Sequence, residues 1–136
     1  MTTSRLSVLW FLMSLCYALP AASAGAADLT GVWATDAALC NKVFVKKGNR
    51  ISLAKNSDVH GGGFIIEGKE IRGAMAKCRI KASKEDGATI HMIAACATDI
   101  MLSDVQLSVK VIDADSISRL FPGMQDMSAT YHRCTM

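Results

Sequence analysis

The chain has 136 residues, 51% of them hydrophobic, with 15 basic against 12 acidic side chains and a net charge of +3. That length fits a single domain. So weak a charge bias gives no basis for a nucleic-acid partner or any strongly acidic one.

The N-terminus reads as a targeting segment. Arg5 supplies a positive start, Leu6 to Leu19 is almost continuously apolar, and Pro20-Ala21-Ala22-Ser23-Ala24 has the small residues of a cleavage site. We expect residues 1–24 to be a signal peptide, cut after Ala24, with Ala26 the second choice; residues 25–136 then form one domain. The apolar run is shorter than the ~20 residues needed to cross a bilayer, so no transmembrane segment is expected after cleavage. The expected location is periplasmic or secreted.

Cys16 leaves with the signal, and four cysteines remain: Cys40, Cys78, Cys96 and Cys134. An even number in a small exported domain reads as two disulfides. No Cys-x-x-Cys pair is present, which argues against a thioredoxin-like motif or a zinc ribbon. Cys78–Cys96 with Cys40–Cys134 is the expected pairing among several formal alternatives.

Asp28-Leu29-Thr30-Gly31-Val32-Trp33 opens the domain with a strand and a large anchor. Thr35 or Asp36 can cap a short helical turn that runs to Cys40. Val43 to Lys46 and Arg50 to Ala54 form a hairpin about Gly48-Asn49, a turn with Gly first. A polar, glycine-rich loop spans Lys55 to Gly63. Phe64 to Glu67 and Glu70 to Arg72 repeat the hairpin pattern about Gly68-Lys69.

Beyond Ile71 the apolar parity switches to Ala74, Ala76, Cys78 and Ile80. A bulge at Gly73 within one long strand would produce that switch, because side-chain direction has period two. The next run carries Ile90, Met92, Ala94 and Cys96 on one face. A three-residue loop centred near Gly87, in the turn Glu85-Asp86-Gly87, would set Cys78 opposite Cys96; a two-residue turn at Asp86-Gly87 would set Cys78 opposite Ala95. After a connection at Asp99 to Asp104, Val105, Leu107, Val109 and Val111 alternate with polar residues, the plainest half-buried strand in the chain. Ser116 to Phe121 and Met127 to Cys134 are the last strands.

Eight or nine short strands and no helical periodicity predict an all-β fold. It is an antiparallel up-and-down meander, closed or nearly closed into an eight-stranded barrel with two disulfides. Closure removes exposed strand edges.

Gly31-Val32-Trp33 resembles the Gly-x-Trp motif that opens lipocalins. The resemblance implies that Trp33 anchors the closed end of a barrel beneath a basic residue from near the C-terminus, for which Arg133 is the candidate. The Leu29-x-Gly31-x-Trp33…Cys40 opening is also similar to the periplasmic inhibitor barrel of secreted metalloproteases. More broadly the chain looks like the small exported proteins of Gram-negative bacteria. The size is short for a lipocalin, and such barrels host many functions.

Candidate chemistry is sparse. His60-Gly61-Gly62-Gly63 looks like an esterase oxyanion loop, but no Gly-x-Ser-x-Gly elbow accompanies it. His60, His91 and His132 share no metal-ligand spacing, and no metal or cofactor is expected. Methionines such as Met124 and Met127 can bind Cu(I) through clustered thioethers, yet Met is more often a core filler. Lys77, Arg79 and Lys81 form a cationic stripe opposite Cys78 and Ile80, a candidate contact for an anionic surface.

The expected function is a non-catalytic binding domain that meets an envelope protein through its loops, hydrolase inhibition being one version. The alternative is a carrier for a small apolar ligand, with Ala74, Ala76 and Ala94 leaving room inside the barrel. No enzyme activity is expected.

Overall fold

A computed structural model describes residues 27–136; the expected signal segment and Cys16 lie outside the described residues. Among the described residues ten strands are formed: β1 (Gly31–Ala34), β2 (Phe44–Lys47), β3 (Arg50–Leu53), β4 (Gly63–Glu67), β5 (Glu70–Gly73), β6 (Lys77–Asp86), β7 (Thr89–Ala97), β8 (Leu102–Asp113), β9 (Ser116–Phe121) and β10 (Met124–Arg133). Eight of them close a barrel in the order β1-β10-β9-β8-β7-β6-β5-β4, all antiparallel.

The hairpin of β2 and β3 is a separate ribbon outside the barrel. It belongs to an excursion between β1 and β4. Asp36 caps the entry, accepting the Ala38 N–H at 2.8 Å. A 3-10 turn at Ala37–Leu39 and one helical turn, Cys40–Val43, then lead into β2.

Side-chain alternation divides the apolar residues into two cores. Val32 and Ala34 of β1 and Ile65 of β4 face outward, where Val43, Phe44 and Cys134 bury them beneath the ribbon. Trp33 and Ile66 face inward with Ile90, Met92, Val109 and Ile117. Strands β1 and β4 are therefore buried on both faces, which explains why Val32-Trp33-Ala34 and Ile65-Ile66 are apolar at every position.

Both disulfides are the expected ones, Cys40–Cys134 and Cys78–Cys96. The first ties the excursion to the end of β10, across 94 residues of sequence. A pair of disulfides suggests an oxidising environment.

One expectation about the central hairpin is corrected. Its loop is two residues, Gly87-Ala88, because Asp86 pairs with Thr89. Gly87 has φ +58°, the left-handed conformation a first turn position needs for a hairpin of this length. That turn alone would set Cys78 opposite Ala97. A bulge between Ile80 and Ala82 absorbs Lys81 and shifts the register by one, so Cys78 meets Cys96.

Gly73, moreover, is not a bulge in one long strand. Gly73 N–H donates to the Ala76 carbonyl at 2.9 Å, and the chain reverses there, with Ile71 pairing with Cys78. The parity switch marks a hairpin turn, and Ala74 lies exposed within it instead of lining the interior.

Candidate functional site

The two ends of the barrel differ in chemistry. At one end the residues before β1, the β8–β9 turn and the end of β10 converge on Trp33, which is wholly buried. The indole N–H donates to the Leu29 carbonyl at 2.9 Å. Arg133 pairs with Trp33 across the ladder and lies over its ring, 4.3 Å from the centroid. Its guanidinium donates to the carbonyls of Thr30, Asp28 (3.1 Å) and Ala114 (3.0 Å), and lies 3.7 Å from the Asp115 carboxylate.

Gly31, at φ +147°, has no room for a Cβ, which would collide with this guanidinium. The Asp28 carboxylate accepts the Thr30 N–H at 2.8 Å, and that bond, with Arg133 nearby, lowers its pKa below the ordinary value. This end is sealed.

The other end carries the β5–β6, β7–β8 and β9–β10 turns. Below them the interior holds a cavity of about 380 Å³, within the range of small-molecule sites. Its wall is apolar: Phe64, Met92, Val105, Leu107 and Ile117 are representative, and Phe64 packs edge-on to Tyr131 at 4.8 Å. The Cys78–Cys96 disulfide contributes both its cysteines to the same wall. Strand β8 supplies the longest run of this surface, Ser103, Val105, Leu107 and Val109, with Met92 and Cys96 of β7 beside it, as alternation along a strand requires.

Ala76 lines the cavity; Ala94 is fully buried on the same inward face, between Met92 and Cys96 and opposite Val105. Depressions of about 480 Å³ by Ala95–Asp104 and 570 Å³ by Leu53–Met75 are larger but lie more open to solvent, with less apolar lining. They offer a ligand less burial.

Among the described residues one charged side chain lines the cavity. Arg119 faces inward from β9, between Val109 of β8 and Ala129 of β10. Its guanidinium stacks on Phe121, 4.9 Å from the ring centroid. Around the mouth the turns expose large apolar side chains. Met75 is 86% exposed and Ile100 96%, and Met101, Leu102, Met124 and Met127 are each more than half exposed. A monomeric surface seldom clusters such residues without a use.

The stripe of Lys77, Arg79 and Lys81 lies on the outer wall. Arg79 pairs with Glu70 at 3.4 Å and Lys81 with Asp104 at 3.2 Å, so Lys77 is its one member outside an ion pair among the described residues. His91 Nδ1 and Ser108 Oγ are 2.8 Å apart, and His132 Nδ1 and Ser116 Oγ 3.4 Å, both pairs on the outer wall with no carboxylate joining them among the described residues. Among the described residues no three His, Cys, Asp or Glu side chains are placed to share a metal.

Sequence reasoning overlooked Arg119. The signal was present, since Ile117, Arg119 and Phe121 share one parity and a charge on an apolar strand face is unusual. No protein-family model, curated protein or solved structure matches this chain.

Proposed function

We propose that the protein is a non-catalytic carrier for a small apolar ligand held inside the barrel, in the manner of lipocalins, working in the periplasm or outside the cell. The observation that supports this reading is the apolar cavity, sealed at the Trp33 end and open at the other. The two disulfides and the leader-like N-terminus support the compartment.

Magnitudes limit what the cavity can hold. At about 30 Å³ per methylene-sized unit, the volume admits roughly ten to twelve carbons. Burying ten methylenes is worth about 8 kcal/mol, against at least about 4 kcal/mol of lost freedom on binding. Apolar burial alone therefore supports an affinity near millimolar, and tighter binding requires a polar anchor.

The test is a titration of the oxidised protein with an apolar probe whose fluorescence rises on burial, compared with Val105→Trp, which fills the cavity. Saturable one-to-one binding that the variant loses while it stays folded supports a carrier. Undiminished binding by the folded variant removes the cavity from the account.

A second reading, a protein-docking module of the inhibitor kind, is favoured by the exposed apolar turns at the mouth. It predicts that Ile100→Ser with Leu102→Ser abolishes partner binding while Val105→Trp does not.

A further inference from the structure

We infer that the ligand is a single-chain amphiphile with a carboxylate head, of the fatty-acid class, and that Arg119 holds the head. This rests on the carrier reading and adds the ligand's charge and orientation. Among the described residues Arg119 is the one charged residue lining the cavity. Four ion pairs form among the described residues, through Arg72, Arg79, Lys81 and Arg133, and Arg119 belongs to none of them. Its aromatic neighbour Phe121 steadies the guanidinium plane without neutralising it. Arg119 is half-buried, so its guanidinium reaches both the cavity and water, and the planar fork of Arg is matched to a carboxylate.

The surroundings set the direction of binding. Arg119 stands three residues before Pro122, level with Val109 and one inward position nearer the mouth than Ile117, and Ile66 lines the deeper wall beside the β4–β5 turn. Thr98, Ser103 and Tyr131 line the same cavity and offer hydroxyl donors to an anion. An acyl chain therefore enters tail first, and the head stops at Arg119. The carboxylate keeps a path to water through the mouth, so its desolvation is partial.

Decanoate and decanol separate the inference from the reading it rests on, because they share a chain and differ in head charge. Each is titrated calorimetrically into the oxidised protein and into Arg119→Gln and Arg119→Lys. The wild type is expected to bind decanoate at least about tenfold more tightly than decanol, the ratio set by ~1.4 kcal/mol. Arg119→Gln should lose that preference while still binding decanol, and Arg119→Lys should retain part of it. Equal binding of both ligands by the wild type, or a preference that survives in Arg119→Gln, overturns the inference and leaves the carrier standing. Binding of neither ligand overturns both.

Discussion

Arg133 lies directly opposite Trp33 on the β1–β10 ladder, and its guanidinium covers the indole face at 4.3 Å. The contact closes the barrel where its first and last strands meet. It also binds the incoming chain, because the same guanidinium donates to three backbone carbonyls, those of Asp28, Thr30 and Ala114.

Arg133→Ala should therefore cost about 2–4 kcal/mol, combining a partly desolvated cation–π contact with lost charge-assisted hydrogen bonds. Arg133→Lys should recover less than half, since an ammonium cannot span the three carbonyls. Urea denaturation, read as the shift in midpoint at constant m, checks both values. A loss below about 0.5 kcal/mol, ordinary for a surface residue, would show that the seal does not contribute to stability.

The two disulfides should differ in worth. Cys40–Cys134 closes 94 residues and Cys78–Cys96 closes 18, which the chain-entropy relation translates into about 4.7 and 3 kcal/mol. The paired serine variant at Cys40 and Cys134 should unfold at lower denaturant than the pair at Cys78 and Cys96. It also frees the excursion that covers Val32, Ala34 and Ile65, which widens the gap. Equal midpoints would contradict this ordering.

Register at the central hairpin depends on one inserted residue. Removing Lys81 deletes the bulged position, yet Ile80 would still face Ala94 and Cys78 would still face Cys96. The Lys81 deletion should therefore form both disulfides, with the loss of one exposed ion pair to Asp104 worth no more than about 1 kcal/mol. Thiol titration of the denatured, unreduced protein measures this directly. Free thiols at Cys78 and Cys96 would mean that the bulge also sets the strand curvature the pair requires.

Much of this fold is legible in the residues themselves. The alternation of Val105 to Val111 and the Gly-first turns at Gly48 and Gly68 mark strands and hairpins that form as read. The Ile71-to-Ala74 parity switch was legible as an event but not as a kind: a bulge and a tight turn both reverse parity, and only the pairing of Ile71 with Cys78 separates them. The outer ribbon escaped notice because β2 and β3 alternate like barrel strands, and nothing local tells which sheet a hairpin joins. The cavity is a product of strand number and summed side-chain volume, which no short segment encodes. Arg119 was visible as a misplaced charge, but its meaning depends on the wall around it.

The central claim is that ligand binds inside the barrel and not on its rim. Methyl NMR of the oxidised protein during a decanoate titration tests it most directly. The account predicts saturable shifts at the inward methyls of Met92, Val105, Leu107, Val109 and Ile117, with the outward methyls of Ile93 and Ile112 unmoved. Shifts confined to Met75, Ile100, Leu102 and Met124 at the mouth, with the interior silent, would contradict it.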